Sequence, residues 1–441
     1  MSESRFTRLA RLGALTGRVA GRSLKEKTKG IIKKRAEGKP SREILNSATA
    51  EDITATLGKL KGAAMKAGQQ LAMVASHMDL PPEIQRKLER LHSKAEPIPF
   101  NTIKSTVESE LGGTIQEHFL SFDIHPIGTA SLAQAHAARL HDGTDVVVKV
   151  MHDGVAESLE TDLLTLKGVM LGGRMLGRSS DELHDVFEEV AKHLRQELDY
   201  LQEAVNIHTF SQVHAGDERF RIPALHPDWC TQRILTMDRL TGVDFRTFLL
   251  TADESSRQRA GVSLAEWFFE GTFRHRLLHA DPHPGNFLFE PDGRMGVVDF
   301  GCVKRFNEFF VAQYAKLVLH AFDEDHDALL AGCVEMGLWD GSRKEAGEAI
   351  IQFCETVVQP WRDGPSVLGS GDDLVQRVKP AAKAVWKYPE IRGAKDMVML
   401  HRTLGGLYSF AKEFRAEGDW GALMKTHLHH AIDVAEGRIP R

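Results

Sequence analysis

The stretch His279-Ala280-Asp281-Pro282-His283-Pro284-Gly285-Asn286 decides the fold of this 441-residue chain, and Val297-Val298-Asp299-Phe300-Gly301 completes it. Asp281 and Asn286 are five residues apart, and Asp299 follows Asn286 by thirteen. The residues between the two stretches are an apolar run and a Pro-Asp-Gly turn, which predict a short hairpin. We therefore expect the hairpin to bring Asn286 and Asp299 close together.

The spacing of these residues is typical of a kinase-type catalytic loop followed by an Asp-Phe-Gly metal site. Magnesium prefers oxygen ligands, so Asn286 and Asp299 are candidates to hold it beside phosphate oxygens. Asp281 is the candidate to orient or deprotonate the nucleophile. His279 and His283 are four residues apart, which leaves a histidine metal pair as an alternative. The intervening prolines disfavour the regular helix that such a pair would need.

A phosphate-binding lysine and its carboxylate partners are predicted further upstream. Lys149 lies in the β-branched run 146–150, which follows an Asp-Gly turn and reads as the second strand of a hairpin. A long amphipathic helix is predicted over residues 187–205. On that helix Asp199 and Glu203 would share a face, and Glu197 would point about 120° away from Glu203. We expect cations to compensate these carboxylates from two directions.

With these motifs the chain resembles the UbiB/AarF/ADCK atypical kinase-like family over roughly residues 50–430. Lys66-Ala67-Gly68-Gln69 resembles the KxGQ helix of that family, and Gly128-Thr129-Ala130-Ser131 begins a stretch similar to its alanine-rich loop. The acidic helix and the catalytic loop with Asp-Phe-Gly complete the match. The first two motifs are the specific ones, because the catalytic loop also occurs in aminoglycoside and choline kinase relatives.

The resemblance implies an α+β, two-lobed, protein-kinase-like fold. A small β-containing N-lobe and a mainly helical C-lobe are expected, with an N-terminal helical extension packed over the cleft. The implied organisation is a basic arm or amphipathic helix over 1–45, the extension with the Lys66–Gln69 motif over 46–121, the N-lobe over 122–240 and the C-lobe over 241–441.

The resemblance also implies a role for each site residue. Lys149 would pair with Glu203 and contact ATP phosphates, and Lys66 would reach Glu197 or its neighbours. Further implied roles are phosphate cover by Ala130 and Ser131, adenine binding by Met237, Asp238 and Leu240, magnesium binding by Asn286 and Asp299, and catalysis by Asp281.

The charge of the chain is distributed unevenly. Residues 1–40 carry a net charge of +9, whereas the whole chain carries −5. The basic segment also has a helical apolar stripe, which predicts contact with an anionic membrane surface. A solvated arm remains the alternative, as does a transit peptide in a eukaryote. The terminal cluster His427, His429 and His430 is predicted to be solvated surface, and the four cysteines show no metal-ligand spacing.

The leading function hypothesis is an ATP-binding, magnesium-dependent kinase-like ATPase that supports ubiquinone or other isoprenoid-lipid metabolism at membranes. One alternative is a small-molecule phosphotransferase of the aminoglycoside or choline kinase type, and the other is a non-catalytic, nucleotide-dependent lipid-binding scaffold. The expected partners are ATP, an anionic membrane surface, an isoprenoid-lipid precursor or lipid-biosynthesis proteins, and a second copy in a homodimer, but no nucleic acid. The expected location is cytoplasmic and peripheral to a membrane, or the mitochondrial matrix in a eukaryote.

Overall fold

The computed structural model of the protein describes residues 97–440, apart from 131, 157–158, 161–162, 165–166, 168–187, 189–190, 193, 363 and 371–373. The Lys66–Gln69 motif, Ser131 and the basic segment 1–40 therefore lie outside the described residues. Two compact units are present. The first contains the described residues up to Gln202 together with Leu225–Arg239, and the second contains Glu203–Ala224 and the residues from Leu240 onward.

The described elements follow one another along the chain as short strands and mostly longer helices. The strands are β1 Ser121–Thr129, β2 Ala133–Arg139, β3 Asp145–Met151, β4 Phe220–Arg221, β5 Ile234–Asp238, β6 Leu277–His279, β7 Phe287–Phe289, β8 Met295–Val297, β9 Val303–Arg305, β10 Ser366–Val367 and β11 Glu417–Gly418. The α-helices are α1 Phe100–Leu111, α2 Ile115–His118, α3 Tyr200–Val213, α4 Phe245–Thr251, α5 Glu254–Phe269, α6 Glu308–Phe322, α7 His326–Glu335, α8 Lys344–Val358, α9 Leu374–Val385, α10 Lys395–Ala411 and α11 Trp420–Ala435.

The first unit is built on a four-stranded antiparallel sheet with the order β1-β2-β3-β5. Side chains alternate between the faces of a strand, so Val146, Val148 and Val150 share one face of β3. These three valines are fully buried in one apolar cluster with residues of α1, such as Ile103. Burying each such side chain stabilises the fold by about 1.5–3 kcal/mol. Lys149 therefore lies on the opposite face of β3 from this cluster.

The long helix predicted over residues 187–205 is interrupted, so that prediction was wrong. Helical residues end at Glu197, and a new helix, α3, begins at Tyr200. Asp199 lies before its first turn, where the Oδ1 atom of Asp199 accepts a hydrogen bond from the backbone N–H of Gln202 at 2.9 Å. Aspartate is among the preferred residues at this capping position, because its carboxylate satisfies an N–H that has no partner within the helix. Asp199 and Glu203 are thus not a pair within one helix.

The second unit contains the predicted hairpin, formed by β7 and β8, and β4 extends it to a three-stranded sheet. The turn between the strands requires glycine at Gly293, whose φ is 89°. A Cβ at this position would lie only 2.4 Å from the carbonyl oxygen of Ser256. Glycine alone avoids both the positive-φ strain and this clash. The hairpin is therefore held against α5 at its turn.

The rest of the second unit is mainly helical. Leu317, Leu329 and Ile350, from α6, α7 and α8, are buried in one apolar cluster. The predicted α+β class, with a sheet in the first unit and helices dominating the second, is confirmed. None of the helices in the described ranges combines the length and the apolar character needed to cross a membrane.

Candidate functional site

The candidate catalytic loop connects two strands that are themselves fixed in the second unit. β6 ends at His279 and pairs with β9, and the loop that follows runs to a 3-10 turn at Pro284–Asn286. The N–H of Ala280 donates to the carbonyl of Cys302 at 2.9 Å, which continues this pairing into the loop. All three residues of β6 are buried. The loop thus begins from a rigid base.

Asp281 and Asn286 contact each other directly. The side-chain nitrogen of Asn286 donates to Oδ2 of Asp281 at 2.8 Å and approaches its carbonyl oxygen at 3.3 Å. Because the nitrogen of the amide is used in this way, its oxygen is the atom suited to ligate a hard cation. Both side chains are half-buried. The predicted catalytic carboxylate and one predicted metal ligand therefore belong to one hydrogen-bonded pair.

Asp299 follows the hairpin and lies next to this pair in the backbone hydrogen-bond pattern. The N–H of Val298 donates to the carbonyl of Asn286 at 3.0 Å. Asp299 is the next residue after Val298 in the chain, so its backbone lies beside that of Asn286. The Oδ1 atom of Asp299 accepts from the N–H of Gly301 at 3.0 Å. The structure thus brings Asn286 and Asp299 to the same end of the hairpin, as the sequence predicted.

His279 forms a hydrogen bond with the backbone of Asp299. Its Nε2 atom lies 2.7 Å from the carbonyl oxygen of Asp299 and must carry the proton, because a carbonyl can only accept. The ring is 4% exposed and packs between aromatic rings such as Phe287 and Phe300. His283, by contrast, is exposed and accepts the N–H of Gly285 at its Nδ1 atom. These bonds give each histidine a structural role and offer nothing in favour of the metal-pair alternative.

Helix α3 holds the Phe300 backbone through two buried side chains. The N–H of Phe300 donates to Oε1 of Glu203 at 3.2 Å, and its carbonyl accepts from Nδ2 of Asn206 at 2.9 Å. Glu203 is 3% exposed and Asn206 is 4% exposed. Each hydrogen bond therefore satisfies a polar group that has little access to water. The Asp-Phe-Gly segment is fixed to α3 at both polar atoms of its central residue.

The catalytic loop also rests on a helix from the C-terminal part of the chain. Pro282 is buried against α10 at Gly406. A Cβ at Gly406 would lie 2.3 Å from Cγ of Pro282 and 2.8 Å from its Cβ. The absence of a side chain at Gly406 therefore allows the loop to sit directly on α10.

Lys149 belongs to the first unit. It pairs with Ala135 and Leu235 across the sheet, and its Nζ atom lies 5.6 Å from the centroid of the Tyr200 ring. This distance is within the range of a cation–π contact. Glu203 falls in the second unit. The predicted Lys149–Glu203 ion pair would join the two units and stays a prediction.

The remaining predicted residues are found in the following environments. Ala130 lies at the turn between β1 and β2, where its N–H donates to the carbonyl of Ala133 at 2.8 Å. Met237 is buried in β5, and the carboxylate of Asp238 lies 2.8 Å from Nε2 of His226. Glu197 is half-buried. Leu240 belongs to the second unit, and Lys66 and Ser131 lie outside the described residues. The adenine and phosphate contacts stay predictions.

Asn206 and Gly406 were missed by the sequence interpretation. Asn206 is three residues after Glu203, and residues with this spacing share a face of a helix. Asn206 could therefore have been predicted from its spacing once Glu203 was identified as a candidate site residue. Gly406 gave no such signal, because only the folded chain brings it to Pro282.

A second polar cluster in this unit contains His214, Asp217 and Glu270, whose side chains are close enough together to hold a metal ion. Arg219 donates to both carboxylates, however, at 2.6 Å to Asp217 and 2.7 Å to Glu270. Burial lowers the pKa of His214 to about 4. The guanidinium therefore already supplies the positive charge that these carboxylates need.

His427 corrects the prediction of a solvated terminal cluster. Its ring is 4% exposed, and its Nε2 atom lies 2.7 Å from Oε2 of Glu266. The hydrogen bond with His427 lowers the pKa of the Glu266 carboxyl. The prediction was wrong because His427 lies on the buried face of α11. The short run of histidines gave no pattern that indicates which face of the helix is buried. His429 is exposed, as predicted, and His430 is half-buried.

The chain is similar to several known proteins over most of its length. A family model described as the ABC1 atypical kinase-like domain matches residues 90–332. The rat protein named "Atypical kinase COQ8B, mitochondrial" is 28% identical over 410 residues, which cover 92% of this chain and 77% of that protein. The "Probable protein kinase UbiB" of Pseudomonas putida is 33% identical over 360 residues, which cover 79% of this chain and 65% of that protein.

A similar solved structure is that of a Mycobacterium tuberculosis protein in its complex with erythromycin. It aligns with a TM-score of 0.61 at 26% identity, covering 86% of this chain and 95% of that one. The family match spans β3 with Lys149, the catalytic loop and the Asp-Phe-Gly segment. The resemblance inferred from the motifs is confirmed: the chain belongs to the ABC1 atypical kinase-like family.

Proposed function

We propose that this chain binds ATP together with magnesium and acts as an atypical kinase-like ATPase or phosphotransferase. Its role would be to support ubiquinone or other isoprenoid-lipid metabolism at a membrane. The observation that carries the proposal is the arrangement of Asp281, Asn286 and Asp299. Asn286 donates to the Asp281 carboxylate at 2.8 Å, and its carbonyl accepts the N–H of the residue before Asp299.

The donor set at this loop fits magnesium. One amide oxygen and one carboxylate, from Asn286 and Asp299, would hold the ion with phosphate oxygens completing its ligands. When bound, the ion would neutralise negative charge on the transferring phosphate. Asp281 would orient the attacking hydroxyl or water and accept its proton. Lys149 would contact the ATP phosphates and pair with Glu203, and Lys66 would reach Glu197.

The segment after Asp-Phe-Gly favours a small or lipid substrate over a protein substrate. Six residues separate Gly301 from the start of α6 at Glu308, and three of them form β9. A peptide-docking platform of the protein-kinase type would need a longer activation segment. The basic segment 1–40 supports a membrane location for the reaction, because its charge suits an anionic lipid surface.

The test separates the metal ligand from the catalytic carboxylate in the full chain. Asp299→Asn should weaken magnesium-dependent binding of a fluorescent ATP analogue. Asp281→Asn should retain this binding and lower ATP turnover by about 10²–10⁴-fold, the usual contribution of a positioned general base. Asp292→Asn is the matched control, because Asp292 is exposed on the turn of the same hairpin. It should leave both readouts unchanged.

Three outcomes would decide against parts of the proposal. Magnesium-dependent binding that is the same in Asp299→Asn and in the unsubstituted chain would contradict the metal assignment. Nucleotide binding without turnover, even with anionic liposomes and a phenolic lipid precursor, would favour the non-catalytic scaffold. Turnover that appears only when an aminoglycoside or choline is added would favour the small-molecule phosphotransferase.

A further inference from the structure

A second basic region lies far from residues 1–40 in the sequence. Residues 374–398 contain six Lys and Arg residues and two carboxylates, a net charge of +4, although the whole chain carries −5. This region comprises α9, the segment after it and the first turn of α10. All of it belongs to the second unit. Its charge is therefore opposite in sign to that of the chain that surrounds it.

The exposed side of α9 carries positive charge alone. One face of the helix contacts α8, and the other is open to solvent. Lys379 and Lys383 are exposed four residues apart on α9, so they share one face of the helix, and Lys387 is exposed two residues after the helix ends at Val385. We call these three positions the lysine stripe. The exposed residues of this stripe between 374 and 387 include no Asp or Glu. Lys379 and Lys387 thus place positive charge on the solvent side of this region.

An exposed tryptophan lies at the end of this stripe. Trp386 is 62% exposed, whereas the other five tryptophans of the chain are buried or half-buried. Its ring packs over Gly393, where a Cβ would lie 2.9 Å from Cη2 of Trp386 and 3.6 Å from the Val398 side chain. Val398 is itself 44% exposed. Trp386 and Val398 therefore form one apolar surface rather than two isolated side chains.

The carboxylates of this region are engaged with cations elsewhere. Glu390 lies 3.6 Å from Arg343, and Asp396 lies 2.6 Å from Nζ of Lys304. Lys395 is exposed and is three residues before Val398 on α10, so it lies on the same side of that helix. Among the described residues 374–398, the positive groups thus outnumber the negative ones.

We propose that the basic-tryptophan patch, formed by Lys379, Lys383, Trp386, Lys387, Lys395 and Val398, docks on the surface of an anionic phospholipid bilayer. Tryptophan is enriched at the boundary between lipid and water, where its ring is partly buried and its N–H stays wet. Lysines beside it would gain from the negative potential of the headgroups. This contact is additional to the one proposed for residues 1–40, and it does not depend on ATP binding.

The combination of groups in the patch favours a membrane as its partner. A protein partner would be expected to meet a larger apolar centre with few charges, because charged residues are depleted at interface cores. Nucleic-acid backbones are contacted mainly by Arg and Lys without a need for a single exposed indole. Lysines with flexible stems around one interfacial tryptophan match the surface of a bilayer instead.

Fluorescence quenching by brominated lipids tests the patch in the full chain. The probes are vesicles of phosphatidylcholine alone and of phosphatidylcholine mixed with phosphatidylglycerol, each with brominated acyl chains. We expect tryptophan quenching with the anionic vesicles only, and its loss in Trp386→Phe. Residues 1–40 contain no tryptophan, so quenching that is lost in Trp386→Phe does not come from their own contact with lipid.

A charge variant provides the second measurement. Replacing Lys379, Lys387 and Lys395 with Gln should weaken binding to the anionic vesicles by about fivefold for each lysine, and by on the order of a hundredfold for all three. The matched control replaces three exposed or half-exposed lysines elsewhere in the described chain, Lys104, Lys192 and Lys344. The control should lower affinity much less.

Three results would overturn the proposal. The first is quenching that persists at full strength in Trp386→Phe. The second is equal loss of binding in the two triple variants, which would show a dependence on net charge rather than on this patch. The third is self-association in sedimentation that is abolished by Trp386→Phe while quenching by anionic vesicles is absent, which would assign the patch to a second copy of the chain.

Discussion

At the scale of single residues, the Asp-Phe-Gly segment depends on two neighbours in α3 rather than on its own sequence. Glu203 and Asn206 occupy adjacent turns and satisfy the N–H and the carbonyl of Phe300. His279 binds the carbonyl of Asp299 from the other side. The position of Asp299, the candidate metal ligand, is therefore determined by hydrogen bonds between these three side chains and the backbone of Asp299 and Phe300. A side chain that is not itself a candidate ligand, such as Asn206, can then control the candidate site.

Replacing Asn206 with Ala tests this control. The change removes the side-chain amide that donates to the Phe300 carbonyl and leaves that buried oxygen without this partner, at a cost of about 1–3 kcal/mol in the free energy of unfolding. Because small displacements of reacting groups are costly, ATP turnover should fall by about ten- to hundredfold. Urea denaturation and turnover below the unfolding transition are the measurements.

The control for this prediction is His208→Ala, since His208 is exposed on the solvent side of the same helix. It should leave turnover unchanged. Unaltered turnover in Asn206→Ala, with only its stability reduced, would show that the bond to Phe300 serves the fold and does not position Asp299.

At the scale of elements, two contacts determine where the catalytic loop lies. The hairpin turn packs on α5 at Gly293, and Pro282 packs on α10 at Gly406. In both places a side chain on the glycine would clash within 2.5 Å of a neighbouring atom. Helices that are far away in the sequence thus act as the floor of the candidate site.

Gly406→Ala should displace the catalytic loop. The new Cβ would overlap Pro282, and relief of the overlap requires the loop or α10 to move. Overpacking of this kind costs about 1–3 kcal/mol in the free energy of unfolding. We expect ATP turnover to fall by about tenfold or more, because Asp281 adjoins Pro282. The measurements are turnover and urea denaturation.

The chain offers a matched control one residue away. Gly405 is in the same helix, and a Cβ there would meet nothing within 4 Å. Gly405→Ala should keep full turnover and gain up to ~1 kcal/mol from the higher helix propensity of Ala. If both substitutions changed turnover equally, helix rigidity and not the contact with Pro282 would be responsible.

At the scale of the whole molecule, buried histidines make the stability of the second unit sensitive to acid. Burial lowers the pKa of both His214 and His401 from 6.5 to about 4. His401 lies 2.8 Å from the hydroxyl of Tyr314, in the apolar surroundings of α6 and α10. These rings are therefore neutral in the folded chain at neutral pH.

The free energy of unfolding should fall as the pH falls through the range between about 6.5 and 4. In this range the unfolded chain binds a proton at each histidine and the folded chain does not, so protonation favours unfolding. Between about pH 7.5 and pH 5 each histidine should account for ~2 kcal/mol. Urea denaturation at a series of pH values measures this slope.

His401→Gln should reduce the slope, because Gln cannot take up a proton and can still contact the Tyr314 hydroxyl. His429→Gln is the control, since His429 is exposed. The slope, rather than the absolute stability, is the readout, so a general loss of stability does not obscure it. An equal slope in His401→Gln and in the unsubstituted chain would contradict the prediction.

The sequence by itself determined the local chemistry of this protein. The spacing of Asp281, Asn286 and Asp299 predicted the hairpin and the neighbouring loop, because turn residues and apolar runs act over a few positions. The alternation in β3 likewise separated Lys149 from the buried valines. The charge excess of residues 1–40 was also legible directly from composition.

Only the tertiary structure decided which distant elements support those groups. The burial of His427 and the contact between Pro282 and Gly406 depend on packing between segments far apart in the chain. The exposed surface around Trp386 could not be foreseen either, since periodicity does not tell which face of a helix is covered. Local propensities act between neighbours, whereas burial is settled by the whole fold.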